Sequence, residues 1–390
     1  MLFHQSKTWL LALLVLGIGL LTAGAFAGQQ GGPRSGRDTR SPAPGDRPAR
    51  PPQPAGDEAR LQGAWKVTRT EFNGQAMPEQ TLRLTFAKGK VEYETDTLLQ
   101  RGIYTLKEAT RPRQLDLRLD GWSPVRAIYR FEKGRLTLAF PNGLLGERPK
   151  DFTSADSKKI IHFLERARPD EAGPGNADQA KMRRARLECG GRLQRIVLAM
   201  HRYIDEHGSF PPPAITDRQG KPLLSWRVAL LPYLGEKELY EQFHLDEPWD
   251  SEHNRPLLEK LPKLYASVLN PPKVKGGTFY QGFTGEGCLF EPGKEVALED
   301  IPDGTVNTIA VVAAAGAVPW TKPADLPYSA DKPLPSFVGG MIEDGLVSFA
   351  TADGSVYATS NTFSGAKEQV FRAAITRNGG EPIHLGDLNK

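Results

Sequence analysis

Only two cysteines, Cys189 and Cys288, occur in 390 residues, which excludes a disulfide-dense scaffold and a four-cysteine zinc module. Charge of neither sign dominates, because 50 basic residues face 46 acidic ones and the net charge is +4. A dedicated nucleic-acid binder carries a clear basic surplus, so no nucleic-acid partner is expected. The chain has no Gly-rich phosphate loop, no Gly-x-Ser-x-Gly elbow and no His-Glu-x-x-His pair, and each of those would announce a chemistry. The 39% hydrophobic and 25% charged shares argue against global disorder and against a multi-span membrane protein. What is abundant is turn chemistry. The 40 Gly and 32 Pro predict many loops, a linker, or both.

The N-terminus reads as an export signal. Lys7 supplies the positive start, Trp9 to Leu21 is free of charge, and Ala25-Phe26-Ala27 gives a small-x-small cleavage pattern near Ala27. The alternative is a retained anchor, since Trp9 to Ala27 is 19 residues and about 20 span a bilayer. A membrane association is therefore expected only through an uncleaved leader. Residues 28–57 hold seven Pro, six Gly and five Arg with no Leu, Ile, Val or aromatic residue. Such a stretch cannot bury enough apolar surface to offset its ordering entropy, so it is expected to be a disordered spacer, or a basic arm for an anionic envelope polymer. Leader and spacer leave residues 58–390 for two folded units, at 58–168 and 177–390.

In the first unit, short segments alternate apolar and polar residues from Trp65-Lys66-Val67 through Leu82 to Phe86, Val91 to Tyr93, Ile103 to Leu106, Leu115 to Leu119, Ala127 to Phe131 and Leu136 to Phe140, with Ile160 to Leu164 as an eighth strand. The Glu132-Lys133-Gly134 turn predicts a hairpin. About eight meandering strands suggest an up-and-down barrel, with a two-sheet sandwich as the alternative. Leu61-Gln62-Gly63-Ala64-Trp65-Lys66-Val67, Asn73-Gly74, Leu84-Thr85-Phe86, Gly102-Ile103-Tyr104 and Arg148-Pro149-Lys150-Asp151-Phe152 resemble an uncharacterised lipocalin-like domain of planctomycete exported proteins. The resemblance implies a small barrel with no established activity. Such a barrel is either filled by side chains or holds one small ligand, and Trp65, Tyr93, Tyr104 and Phe131 are the candidates to line a pocket for a small apolar ligand.

Pro169, Gly173, Pro174 and Gly175 mark a boundary. A helix is then expected to run from Asn176 to about His207 with Gly208 as its stop, and Leu193, Val197, Met200 and Ile204 form its buried stripe. Gly190-Gly191 interrupts it at about 1 kcal/mol each relative to Ala, so the helix is expected to bend or begin there. Beyond it come Gly208-Ser209-Phe210-Pro211-Pro212, Leu224-Ser225-Trp226-Arg227-Val228, Leu231-Pro232-Tyr233-Leu234, Phe243 to Ser251, Asp303-Gly304-Thr305, Val318 to Pro323 and Ala352-Asp353-Gly354-Ser355-Val356. Together these resemble the domain of unknown function 1559 family over roughly residues 180–380, exported proteins with a pilin-like or pseudopilin-like fold. The resemblance implies a long helix packed on an antiparallel sheet, so the fold class expected for the whole chain is a lipocalin-like β-barrel plus an α+β pilin-like domain. This sequence departs from the family where Glu343 stands in place of a His separated by nine residues from Asp353-Gly354. It departs again at Ala266-Ser267, where many members have Cys-Pro. The segment before the helix core, Gln179 to Arg186, is charged where an assembling pilin would be apolar.

Cys189 and Cys288 lie in a chain expected to be exported, where disulfides persist, so they are candidates to pair. A Cys189 nucleophile has no base on its own helix, because His201 lies about 18 Å further along it. His244, Asp246, Glu247, Asp250 and His253 form the densest set of metal-ligating side chains, readable either as a divalent cation site or as a packed turn around Pro248-Trp249. Trp320, in a Pro-rich loop, is readable as a binding anchor or as core. No constellation demands a cofactor. The expected role is a non-enzymatic binding or structural module of the cell envelope, with an unidentified envelope protein as partner. Its alternatives are a metal-dependent hydrolase built on His244 to His253, or a subunit of a pilus-type assembly.

Overall fold

The computed structural model describes residues 56–77, 81–120, 124–142, 146–155, 158–168 and 177–389. The leader and residues 28–55 of the expected spacer lie outside them. A short helix, α1 (Asp57–Leu61), opens the first unit. The strands β1 (Gly63–Phe72), β2 (Gln75–Ala76), β3 (Arg83–Ala87), β4 (Lys90–Glu94), β5 (Leu99–Lys107), β6 (Arg113–Leu119), β7 (Val125–Glu132), β8 (Arg135–Pro141) and β9 (Lys159–Arg166) follow in order. Apart from the two-residue β2 these are the eight expected strands. β2 pairs only with β1, β1 pairs with β3, each later strand pairs antiparallel with the next, and β1 also pairs with β9, from Trp65↔Arg166 to Phe72↔Ile160. The sheet therefore closes into an eight-stranded up-and-down barrel rather than a sandwich, and closure leaves it no free long edge.

The sequence explains the closure. Leu84 and Phe86, Leu115 and Leu117, and Leu136 and Leu138 alternate along their strands, and all are buried in one core. The turns at Asn73-Gly74, Lys88-Gly89 and Lys133-Gly134 hold both residues at positive φ, the geometry that matches the twist of tight hairpins. The spacer reading runs one residue too far at its end. Asp57 is buried, accepts a hydrogen bond from Tyr129 Oη at 2.9 Å and pairs with Arg113 at 2.7 Å. Helix α1 thereby closes one end of the barrel, with Trp65 Nε1 donating to Leu61 O at 2.8 Å.

The second unit begins with α2 (Ala177–His207), and Gly208, at φ 81°, ends it as expected. A hairpin of β10 (Ala214–Thr216) and β11 (Pro222–Ser225) leads into α3 (Trp226–Ala229), a 3-10 turn at Leu231–Leu234, α4 (Lys237–Tyr240) and a 3-10 turn at Arg255–Lys260. The main sheet has four antiparallel strands in the order β12 (Gly277–Gln281), β14 (Ile309–Pro319), β16 (Leu346–Thr351) and β17 (Val356–Ser360). Two short strands, β13 (Phe283–Thr284) and β15 (Leu326–Pro327), pair in parallel beside it. The strands flanking the Asp353-Gly354 turn pair as expected. Leu193, Val197, Met200 and Ile204 of α2 are buried against one face of the main sheet. The other face is covered by α5 (Gly365–Ile375) through Val312, Val347, Phe349 and Phe371.

Helix α2 is continuous through Gly190-Gly191, and this corrects the expected bend. A Cβ on Gly190 would lie 2.0 Å from Thr97 O, and one on Gly191 2.2 Å from Leu99 O. The glycines let the helix axis approach the rim of the barrel between β4 and β5. Gln100 then donates to Gly191 O at 3.2 Å and to Gln194 Oε1 at 3.1 Å, while Gln194 donates to Gly354 O at 3.3 Å. On the solvent side Arg184 and Arg101 bind Glu92, and Arg183 binds Glu94. Burial pushes the Glu92 carboxyl up, but the two arginines together hold it below its ordinary value.

A second anchor lies in the loops. The side chains of Arg227 and Asp325 are 0% and 2% exposed and pair at 2.7 Å. Arg227 also donates to Tyr280 O and Ser225 Oγ, and Asp325 accepts from Trp226 Nε1 and Gly282 N. Burial pushes the Asp325 carboxyl up against the pull of Arg227. Every part of this buried pair is bonded, the condition under which a buried charge pair is tolerated.

Two stability predictions follow from these contacts. In a free helix Gly→Ala gains about 1 kcal/mol. At Gly190 or Gly191 the added methyl overpacks the seam, so each alanine variant is expected to lose about 1–2 kcal/mol net in urea unfolding; a gain would show that the seam does not form. Asp325→Asn strands the buried Arg227 charge and is expected to cost about 3–5 kcal/mol, read from the same unfolding curves.

Candidate functional site

The barrel interior holds the expected aromatic set. Trp65, Tyr93 and Tyr104 are buried and Phe131 is half-buried. Trp65 and Tyr129 each pack on Phe131, with ring centroids 5.9 and 5.8 Å apart, and Phe86 packs edge-on to Tyr104 at 5.1 Å. Arg60 and Arg166 stack over Phe131 and Trp65 at the α1 end. Trp65, Tyr104 and Phe131 thus spend their faces on aromatic or guanidinium neighbours, and Tyr93 is buried in the same core, its hydroxyl without a partner among the described residues.

One interior residue was missed. His162 on β9 shares the inward parity of Ile160 and Leu164 and is fully enclosed. Its Nδ1 lies 2.8 Å from Thr70 Oγ1, and its Nε2 has no partner among the described residues. Burial pushes its pKa down to about 4. The signal was available, because a strand that alternates inward places its middle polar residue inside as surely as its apolar ones.

The remaining candidates are placed as follows. Trp320 is 0% exposed, donates from Nε1 to Leu258 O and packs on Phe243 and Tyr265. It is a core residue and not an exposed anchor, because the loop carrying it folds under the 3-10 turn at Arg255–Lys260. Cys189 and Cys288 are both buried and free, which corrects the pairing. Cys189 faces the core between α2 and the main sheet, Cys288 the core on the opposite face, and the sheet stands between them. Burial pushes both thiols up to about 12, far from the thiolate a nucleophile requires.

His244 and His253 stack with ring centroids 3.4 Å apart and planes 2° apart. His244 Nδ1 bonds Glu247 and His253 Nε2 lies 2.9 Å from Gln242 O. Asn254 knits this turn by bonding the backbone of His244, Glu247 and Pro248. Parallel stacked rings direct their nitrogens side by side rather than toward one point. Among the described residues no group of three His, Cys, Asp or Glu side chains is arranged to hold a metal ion. Asp246 and Asp250 are not brought into a ligand set with the two histidines.

The concave feature that carries free charge lies elsewhere, at the seam between the units. A cleft of about 690 Å³ is walled by Leu99 to Arg101 of the barrel, Glu188 to Arg195 of α2, and the 234–236 and 260–264 loop segments. Glu188 accepts from Arg101 on one oxygen and from Arg192 on the other, and these arginines together hold its carboxyl low despite burial. Arg195 is half-buried. Burial lowers its pKa and exposed Asp120 acts on it only at a distance.

Residues 180–268, which contain most of α2, the Ser225 to Arg227 part of the buried network and the histidine turn, match a family described as Protein of unknown function (DUF1559). The match is shorter than the resemblance read from the sequence, ending before the main sheet, and it does not reach the barrel. No curated protein matches the chain.

His162 supplies a pH test. Its folded pKa of about 4 lies below the ordinary 6.5, so as pH falls the unfolded chain takes up the proton first. Its share of stability is complete above pH 6.5 and is lost between 6.5 and 4, about 3 kcal/mol in all. Urea unfolding across that window should fall more steeply for the parent than for His162→Leu; parallel curves would refute the assignment.

Proposed function

We propose that the chain is an exported, non-catalytic interaction protein of the cell envelope, in which a lipocalin-like barrel is joined to a pilin-like α+β unit. The observation that carries this reading is the double coverage of α2. One face packs on the main sheet and another on the β4–β5 rim, where Gly190 and Gly191 meet Thr97 O and Leu99 O. A helix committed on two sides within its own chain has little surface left for lateral assembly. Its first turns carry Arg183 and Arg184, which pair with barrel glutamates, instead of an apolar stretch. Among the described residues no helix is long and apolar enough to cross a membrane. The raised thiols of both cysteines and the stacked histidines favour binding over hydrolysis.

Recognition on this reading belongs to the surface that the two units build jointly, because the barrel interior is taken up by side chains. Light scattering on the exported protein is expected to give the mass of one chain at every concentration, and mass spectrometry a chain starting at Gly28. Concentration-dependent filaments or a retained leader would instead establish the assembly subunit.

A further inference from the structure

We propose that the cleft between the barrel and α2 binds a small, hydroxyl-rich molecule bearing a carboxylate or phosphate, with Arg195 as its anchor. Arg195 stands one turn after Gly191 on α2, inside the cleft of about 690 Å³. Its Nε is buried and has no hydrogen-bond partner, and no carboxylate lies within ion-pair distance of its guanidinium among the described residues. Burial in the cleft removes solvent from this cation, and the acid set nearest by the barrel, exposed Asp120, acts on it only at a distance. Arginine cannot shed its proton to relieve that cost, so an oxyanion is the group that completes the site. A guanidinium offers two parallel donors, the fork that carboxylate and phosphate oxygens accept.

The neighbouring arginines and Lys260 are already engaged, while Lys263 stands exposed at the rim. Arg101 and Arg192 share Glu188, Arg192 also donates to Ala266 O, and Lys260 bonds Gln242. Among the described arginines of the cleft, Arg195 is the one without a hydrogen-bond partner, and that half-buried placement suits a single anionic group rather than a polyanion laid along a basic stripe. The volume is far larger than a bare inorganic anion needs and falls within the usual range for small-molecule sites. Asp120 and Glu236 on the walls offer acceptors for hydroxyl groups, while Leu99, Leu234 and Leu261 offer a modest apolar surface. A polar ring carrying one acid fits this lining better than a lipid does.

The proposal rests on the binding reading above, and its test separates the two. Calorimetric titration of the full chain at low salt uses glucuronate, glucose 6-phosphate and, as neutral control, glucose, with light scattering on the same samples. At least one acid is expected to bind while glucose does not, and the arm that binds tells carboxylate from phosphate. Arg195→Gln is expected to weaken binding at least tenfold while its melting temperature is unchanged or higher, because an unpaired cation has been removed. A purely structural arginine would lower it. Arg195→Lys keeps the charge without the fork and is expected to fall between, and Arg218→Gln, on an exposed loop, is expected to bind as the parent does. Failure of both acids to bind at millimolar concentration, equal binding of glucose, or undiminished binding by both Arg195 variants overturns the proposal. Filaments in the scattering together with Arg195-dependent acid binding would overturn the binding-protein reading and leave the site standing.

Discussion

The structure depends on one bare stretch of helix. At Gly190 and Gly191 the surface of α2 is backbone, and the facing surface of the barrel is also backbone, the carbonyl oxygens of Thr97 and Leu99. Contact at this distance leaves no room for a side chain on either glycine. The seam therefore sets the height and tilt of the barrel on the helix, and what lies beside it is placed as a consequence. Gln194 shows how far that placement reaches, since it links Gln100 of the barrel to the Gly354 turn of the main sheet. The helix is the common wall of two cores that would otherwise be independent.

The far wall of the cleft is held by different means. Arg227 and Asp325 are buried, mutually paired and bonded to backbone at Tyr280 and Gly282. They fix the start of α3 against the β13–β15 region, and the Leu231–Leu234 turn follows directly from it. Two arginines of the matched segment, Arg227 and Arg195, illustrate two fates of a desolvated charge. Arg227 is enclosed with its counter-ion and every donor direction used, and its role is to hold loops together. Arg195 is partly enclosed with no hydrogen-bond partner among the described residues and only distant Asp120 acting on it, and its position on the open side of the seam keeps it reachable by something outside the chain.

Much of this fold was legible in the sequence, and what was legible shares a cause. The eight barrel strands show because one face of each is inward, so Leu136 and Leu138 alternate with polar neighbours. Helix α2 shows because Leu193, Val197, Met200 and Ile204 repeat at its period and Gly208 ends it. The failures share a cause too. Gly190-Gly191 reads as a weakness because the carbonyls that need it lie some 90 positions earlier. Trp320 reads as a loop anchor because Leu258, Phe243 and Tyr265, which bury it, come from three other segments. His244 to His253 reads as a ligand cluster because proximity along the chain says nothing of ring orientation. Arg195 is invisible for the strongest version of this reason, since its distinguishing property is the lack of a partner in three dimensions.

The barrel itself gains a role from this contrast. On an isolated α2, Arg195 would face solvent, and a solvated arginine costs nothing and selects nothing. Docking of the β4–β5 rim withdraws part of that solvent, and Glu188, the nearest acid on the same helix face, is already divided between Arg101 and Arg192. Arg101 is a barrel residue, so the unit that desolvates Arg195 also claims half of the carboxylate that might have neutralised it. The matched segment contains the anchor and one wall of the cleft, while the barrel supplies the rim that turns the anchor from a surface charge into a poised one. Closing the barrel end with α1 and filling its interior with side chains serves the same arrangement. A solid barrel makes a rigid rim, and a rigid rim holds the cleft open at a fixed width beside the helix.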